Sequence, residues 1–254
     1  MPQLTLIVPA YNEARSIGRT LAEMQAYLGR QGFNYEIIVA ADGDDGTREL
    51  VRERAAADAR LSVLGSPQRG GKGRGIRLAV KQARGDVIGF VDADNKTPIT
   101  ELDKILPWFE RGWDVAIGSR AMRDSKIEVP QSKLRQWGSR AFAFVMRRLV
   151  GLHGIRDTQC GFKFFRREVA KEIFHRQRID GYMFDVEILF LAQKAGYSIK
   201  EIGVRWRDDG DSRLRLVSGN WRNLKDLLRI RLGKYEPLCL VSAEHAVNQT
   251  KVAA

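Results

Sequence analysis

The chain has 254 residues, 44% hydrophobic and 29% charged, a balance that supports a sizeable core in one globular domain and excludes wholesale disorder. No apolar run approaches the ~18 residues needed to span a bilayer, and the opening MPQLTLIVPAYNEA lacks the pattern of a signal peptide. Lys and Arg number 43 against 31 Asp and Glu, a net charge of +12, so the expected partners are polyanions: nucleic acid, an anionic membrane or a phosphorylated substrate.

In chain order, Leu4–Val8 reads as a buried strand that ends at Pro9, and the helix after it carries Ile17, Leu21, Met24 and Leu28 on one stripe. Glu36–Ala40 is a second strand, Asp42–Thr47 a polar turn, and a helix runs to about Ala57. Leu61–Leu64 is a third strand. Gly65–Gly75 reads as a glycine-rich basic loop, followed by a helix to about Ala83. Asp86–Val91 is the fourth strand, Ile99–Phe109 a helix and Trp113–Gly118 the fifth strand. Strands spaced by helices predict an α/β fold with a mostly parallel, Rossmann-like central sheet, and ligands beyond the carboxyl ends of its strands.

The second half is less regular. Arg135–Leu152 is a basic amphipathic helix with Trp137, Ala141, Val145 and Leu149 aligned. Glu168–Phe174 and Phe184–Ala195 read as helices and Ile199–Trp206 as a strand. Asn220–Leu232 is a second basic amphipathic helix, with Trp221, Leu224, Leu228 and Leu232 aligned. Residues 132–148 hold five cations and no acid, and residues 211–235 hold seven cations against two acids. Either helix suits a solvated face, a nucleic-acid surface or a membrane interface. Residues 1–233 are expected to form one domain and 234–254 a loosely structured tail.

The strongest chemical signal is Val91-Asp92-Ala93-Asp94. An apolar strand runs into two carboxylates one residue apart, which in extended backbone point to the same side. Such a pair suits Mg²⁺ or Mn²⁺, which prefers oxygen ligands and leaves room for water and phosphate. At the first strand end, Tyr11 offers a face for a planar base and Glu13 a hydrogen-bond acceptor, although Asn12 also reads as a helix cap. The segment from Arg69 to Gly75 has the glycines of a phosphate cradle but not the P-loop pattern. His153, His175 and His245 are scattered, and no triad is expected. Cys160 and Cys239 stand outside metal-ligand spacing, which predicts an intracellular chain with Cys160 as a packed thiol.

Taken in order, VPAYNEA from Val8, IIVAADGDDGT from Ile37, GKGRGIRLAV from Gly71, VDAD from Val91, AIGSR ending at Arg120, IRDTQCGFKFF from Ile155 and FDVEIL from Phe184 resemble the family 2 inverting glycosyltransferases of GT-A fold. Within that family the chain is similar to the polyprenyl-phosphate sugar transferases, dolichyl-phosphate β-glucosyltransferases among them. The resemblance implies transfer of a hexose, glucose favoured, from a nucleotide sugar (UDP-glucose, with GDP-mannose as the other candidate) to a polyprenyl phosphate. It implies that Pro9, Ala10, Tyr11, Glu13, Asp42, Lys72 and Ala93 line the nucleotide, and that Asp92 and Asp94 meet the donor diphosphate through the metal. Arg120, Arg135 and Arg213 would hold the acceptor phosphate, with Arg215 a further candidate. Asp157, Gln159, Asp185 and Glu187 would line or brace the sugar side, and Asp92, Asp94, Arg120 and Asp157 form the expected catalytic set.

Two departures stand out. Ala41 replaces the first of two acids usual at the second strand end, and Lys96 stands where many relatives carry a metal-binding glutamine. Eukaryotic relatives also carry an N-terminal membrane span, so this chain is expected to work as a peripheral protein on the cytoplasmic face of the membrane. Rival readings are a soluble family 2 transferase acting on a small or polysaccharide acceptor, and a basic nucleic-acid-binding domain. The second is disfavoured by the strand-end acid pair and by the lack of aromatics in the basic loop, so no nucleic-acid partner is expected.

Overall fold

A computed structural model of the chain describes residues 3–128, 146–207 and 220–237. Over these residues the order is β1 (Leu4–Tyr11), α1 (Ile17–Leu28), β2 (Tyr35–Asp42), α2 (Thr47–Ala57), β3 (Leu61–Leu64), α3 (Lys72–Gln82), β4 (Val87–Val91), α4 (Leu102–Glu110), β5 (Val115–Ser119) and β6 (Lys126–Ile127). Residues 146–150 are helical (α5). Then follow β7 (Phe162–Arg166), α6 (Arg167–Arg176), α7 (Phe184–Ala195), β8 (Ile199–Gly203), β9 (Arg205–Trp206) and α8 (Asn220–Leu232). The central sheet has the strand order β3-β2-β1-β4-β7-β5-β8. Every neighbouring pair is parallel except those made by β7, which runs antiparallel to both β4 and β5.

The alternation of side chains along each strand divides the interior in two. Ile38, Phe90, Ile117 and Phe165 face one side of the sheet, against Ile76 and Val80 of α3, Ile173 of α6 and Phe184 of α7. Ile37, Val39, Val91, Phe162 and Phe164 face the other side, against Leu21 of α1, Val51 of α2 and Ile105 of α4. Being covered on both faces, the strands read as continuous apolar runs, which is why they stand out in the sequence.

Three elements differ from expectation. The segment Phe162–Arg166, unassigned from sequence, is the strand β7 at the heart of the sheet. It passes over Gly89, where a Cβ would overlap the Phe164 ring. The glycine-rich loop is shorter than expected, because α3 already begins at Lys72. Its glycines serve close approach: a Cβ at Gly73 would press on the Ile179 carbonyl and the Phe184 side chain. The expected strand Ile199–Trp206 is two strands, β8 in the main sheet and β9 paired with β6. Of the expected tail, residues 234–237 are described: the Tyr235 hydroxyl donates to Glu187 at 2.8 Å and Arg176 donates to the Pro237 carbonyl at 2.6 Å. Most of the expected helix 135–152, with Arg135, lies outside the described residues, as do Arg213, Arg215 and residues 238–254.

Candidate active site

The carboxyl ends of β1, β2, β4 and β5 lie along one edge of the sheet, and β7, running the other way, begins there. At the first of these ends, Tyr11 pairs in register with Asp42. Pro9 is half-buried, Ala10 buried and Tyr11 exposed at the rim. Glu13 accepts a hydrogen bond from the Ser16 hydroxyl at 2.6 Å. Asp42 turns its carboxylate to backbone, accepting from the Ser66 N–H at 3.2 Å and the Gly70 N–H at 2.7 Å. Beneath it the buried Arg48 donates to the carbonyls of Gly43 and Ser66. Asp42 therefore fixes the 66–70 loop, which brings the Arg69 guanidinium 4.4 Å above the Tyr11 ring.

The acid pair follows β4. The Asp92 N–H donates to the Gly161 carbonyl at 3.1 Å, and the Asp92 carboxylate meets the Lys72 ammonium at 2.6 Å. Burial opposes charge on Lys72, but the carboxylates of Asp92 and Asp185 outweigh it and hold its pKa above the usual lysine range. Asp94 lies 3.4 Å from the Lys96 ammonium. Burial and the neighbouring Asp92 charge raise the Asp94 carboxyl, against the pull of Lys96. Buried Ala93 between them accepts from the Thr20 hydroxyl through its carbonyl at 2.8 Å. Two crowded carboxylates on a cleft are the donor set a hard divalent cation fits, and the remaining ligands would be water and phosphate. Among the described residues no cluster of three or more acids, histidines or cysteines supplements them.

Across the same cleft lies a third ion pair. Arg120, just past β5, donates to Asp157 through Nε at 2.7 Å, Nη2 at 2.9 Å and its backbone N–H at 3.0 Å. Burial opposes ionisation of Asp157, yet the Arg120 guanidinium brings its pKa down to about 2. The Trp206 ring covers Arg120 at 5.4 Å. The 157–161 loop is held from behind by Glu201, which accepts from the Asp157 N–H at 2.8 Å. Gln159 in turn donates its N–H to Asp157. The resulting cleft has a volume of about 40 Å³ and is lined by Asp92, Asp94, Lys96, Thr97, Arg120, Gln159, Gly161 and Trp206.

Behind this wall Asp185 meets a cation that the sequence reading did not single out, Lys163. Lys163 of β7, fully buried, donates to the Cys160 carbonyl at 2.7 Å and pairs with Asp185, itself 3% exposed. Its only signal in the sequence is a cation inside the aromatic run Phe-Lys-Phe-Phe. Asp185 thus sits behind the cleft. Glu187, two residues on, braces the adjoining loop by accepting from the backbone N–H groups of Arg178 and Ile179 at 2.9 and 2.8 Å. Cys160 is a packed thiol, pushed up to about 12 by burial. Gly161 shows how tight the assembly is, since a Cβ there would overlap the Asp92 carboxylate. Gly161→Ala is expected to displace that carboxylate, lowering catalytic turnover about tenfold or more while far-UV circular dichroism stays native. Unchanged turnover would mean that the Asp92 position is not critical.

The glycosyl transferase family 2 profile matches residues 5–174. A dolichyl-phosphate β-glucosyltransferase of Trichomonas vaginalis is 34% identical over 239 residues, covering 90% of this chain and 70% of the relative. The human dolichyl-phosphate β-glucosyltransferase is 33% identical over 247 residues, covering 91% of this chain and 75% of the relative. Among solved structures, glucosyl-3-phosphoglycerate synthase of Mycobacterium tuberculosis, in complex with Mn²⁺, UDP and phosphoglyceric acid, superposes with a TM-score of 0.65 at 18% identity, over 91% of this chain and 79% of that one. Mannosyl-3-phosphoglycerate synthase of Rubrobacter xylanophilus does so with a TM-score of 0.64 at 19% identity, over 95% of this chain and 78% of that one. These two share the GT-A fold expected from the sequence. The chain belongs to glycosyl transferase family 2 and is a glycosyltransferase, similar along most of its length to the dolichyl-phosphate β-glucosyltransferases.

Proposed function

We propose that this enzyme transfers glucose from UDP-glucose to a polyprenyl phosphate of dolichyl type, with inversion at the anomeric carbon. One observation carries the reading: a single cleft lined by both the Asp92–Asp94 acid pair and the Arg120 guanidinium. The first suits a metal-bound diphosphate and the second an anionic acceptor. The names of the relatives supply the choice of glucose and dolichyl phosphate.

The chemistry asks little of a general base. A phosphomonoester has a second pKa of about 6, so the attacking oxygen is mostly ionised at neutral pH. What the chain must do is bring two anions together and stabilise charge on the leaving diphosphate. In this reading Asp92 and Asp94 hold Mg²⁺ or Mn²⁺, which supplies charge neutralisation for the diphosphate. Lys72, ionised and at the N-terminus of α3, adds a further positive charge on the donor side. Tyr11, with Pro9, Ala10 and Glu13, receives the nucleoside, while Asp42 acts through the loop it fixes. Arg120, held charged by Asp157, receives the acceptor phosphate, with Arg135 and Arg213 as further candidates. Gln159 faces the sugar, with Asp185 and Glu187 bracing behind it. Residues 1–233 are read as one catalytic unit, peripheral on the cytoplasmic face of the membrane that holds the lipid. Among the described residues no helix is long and apolar enough to cross a membrane.

The test is nucleoside-diphosphate release by purified protein with Mg²⁺ or Mn²⁺, given UDP-glucose or GDP-mannose, with and without a polyprenyl phosphate in detergent. Metal-dependent release that requires the lipid and prefers UDP-glucose is expected. Preference for GDP-mannose would overturn the sugar assignment, and release that proceeds equally with a small phosphorylated acceptor and no lipid would overturn the acceptor.

A further inference from the structure

Helix α8 has two apolar faces, and only one of them meets the core. Leu227 and Ile230 are buried, at 2% and 0% exposure, in the cluster formed with α5 and α7. On the opposite side Trp221, Leu224, Leu228 and Leu232 recur at a spacing of three to four residues and are exposed by 85%, 37%, 46% and 76%. A surface helix that serves only to cover a core has one apolar stripe and a polar back. Here the apolar surface runs on past the buried side into a second, exposed stripe.

The stripe is bordered by cations. Arg222, Lys225 and Arg229 follow one edge and Arg231 the other, all exposed. The single acid of the helix, Asp226, is 8% exposed and accepts from Arg229 at 3.3 Å. We infer that the outward stripe of α8 is a docking surface for an anionic lipid bilayer, with Trp221 and the three leucines entering the interface and the flanking cations on the headgroup phosphates. The length and alternation suit a helix lying in the interface plane, where apolar burial and electrostatic attraction add. A second copy of the chain fits this surface less well, because pairing two stripes would set two borders of cations against each other. The inference deepens the lipid-acceptor reading and rests on it for its biological sense, but the docking is measured without donor or acceptor. Failure to dock would leave lipid-dependent transfer in detergent standing, and failure of transfer would leave docking standing.

The experiment uses the full chain with phosphatidylcholine vesicles, with and without about one third phosphatidylglycerol. Co-sedimentation with the anionic vesicles is expected, with a blue shift of tryptophan emission that is absent in Trp221→Phe. Leu228→Glu should weaken binding about tenfold or more, and Leu232→Glu, at the more exposed position, should do the same should Leu228→Glu disturb the fold. Binding that ignores these substitutions, or that does not depend on phosphatidylglycerol, would overturn the inference. So would a dimer in light scattering that Leu228→Glu dissolves while vesicles are ignored.

Discussion

An Asp94→Asn enzyme is expected to keep its fold and lose transfer activity by about a hundredfold or more, roughly 3 kcal/mol of transition-state stabilisation. Asparagine keeps the shape and removes the charge. In the folded chain that charge is disfavoured, since burial and Asp92 both raise the Asp94 carboxyl. Neutralising it relieves repulsion, so the melting temperature should hold or rise while function falls. Opposite signs on stability and activity separate a functional carboxylate from a structural one. Binding of Mn²⁺, followed by titration calorimetry, should weaken in parallel. Turnover close to that of the parent, in a folded variant, would remove Asp94 from the metal site.

The second large effect belongs to the buried pair behind the cleft. Lys163→Met leaves the Asp185 carboxyl, 3% exposed, without its main cation. Breaking a buried pair by removing one partner costs about 3–5 kcal/mol, which for a chain of this size lowers the melting temperature by roughly 10 °C. Replacing both partners, Lys163→Met with Asp185→Leu, should recover most of that loss, because the desolvation penalty goes with the charges. Activity should not recover with it. Lys163 also donates to the Cys160 carbonyl and so anchors the loop that carries Asp157, Gln159 and Gly161. A double variant that is both stable and fully active would show that the loop holds its shape without Lys163.

The parallel part of the fold is legible because its strands are short apolar runs with helices between them to carry the chain back, although β1 runs on through Pro9 to Tyr11, two residues past the end its proline suggests. The helices over 184–195 and 220–232 were equally plain from their apolar content and spacing. β7 was not, for two physical reasons. It is five residues long and passes into α6 at the next residue, with no turn to mark the boundary. Its lysine also looks like a surface residue until Asp185, 22 positions away, is seen beside it. The same holds for Arg120 and Asp157, 37 positions apart, whose pairing depends on β7 delivering the loop before it. Local propensity misled at Gly73 and Gly75, where glycines signal a loop but lie in the first turn of α3, Gly73 close to Ile179 and Phe184 and Gly75 close to Ala40. At Asp42 the residue was visible and its strand-end position clear, while the backbone partners that engage its carboxylate became visible only in three dimensions.

The antiparallel strand also sets an order of events during synthesis. β1, β2, β3 and β4 pair with one another, so they can form a sheet as soon as residues through Val91 have emerged. β5 has no such partner behind it. Its neighbours, β7 and β8, are both translated later, and β4 likewise keeps one open edge until Phe162–Arg166 arrives. A nascent chain paused between Ser119 and Phe162 therefore displays an unpaired edge on β4 and an apolar β5 strand, the features that recruit chaperones or seed aggregation. The 157–161 loop and β7 reach the sheet together, while Trp206 of β9, which also lines the cleft, follows some forty residues later, so the cleft is complete only after the sheet has closed around β7.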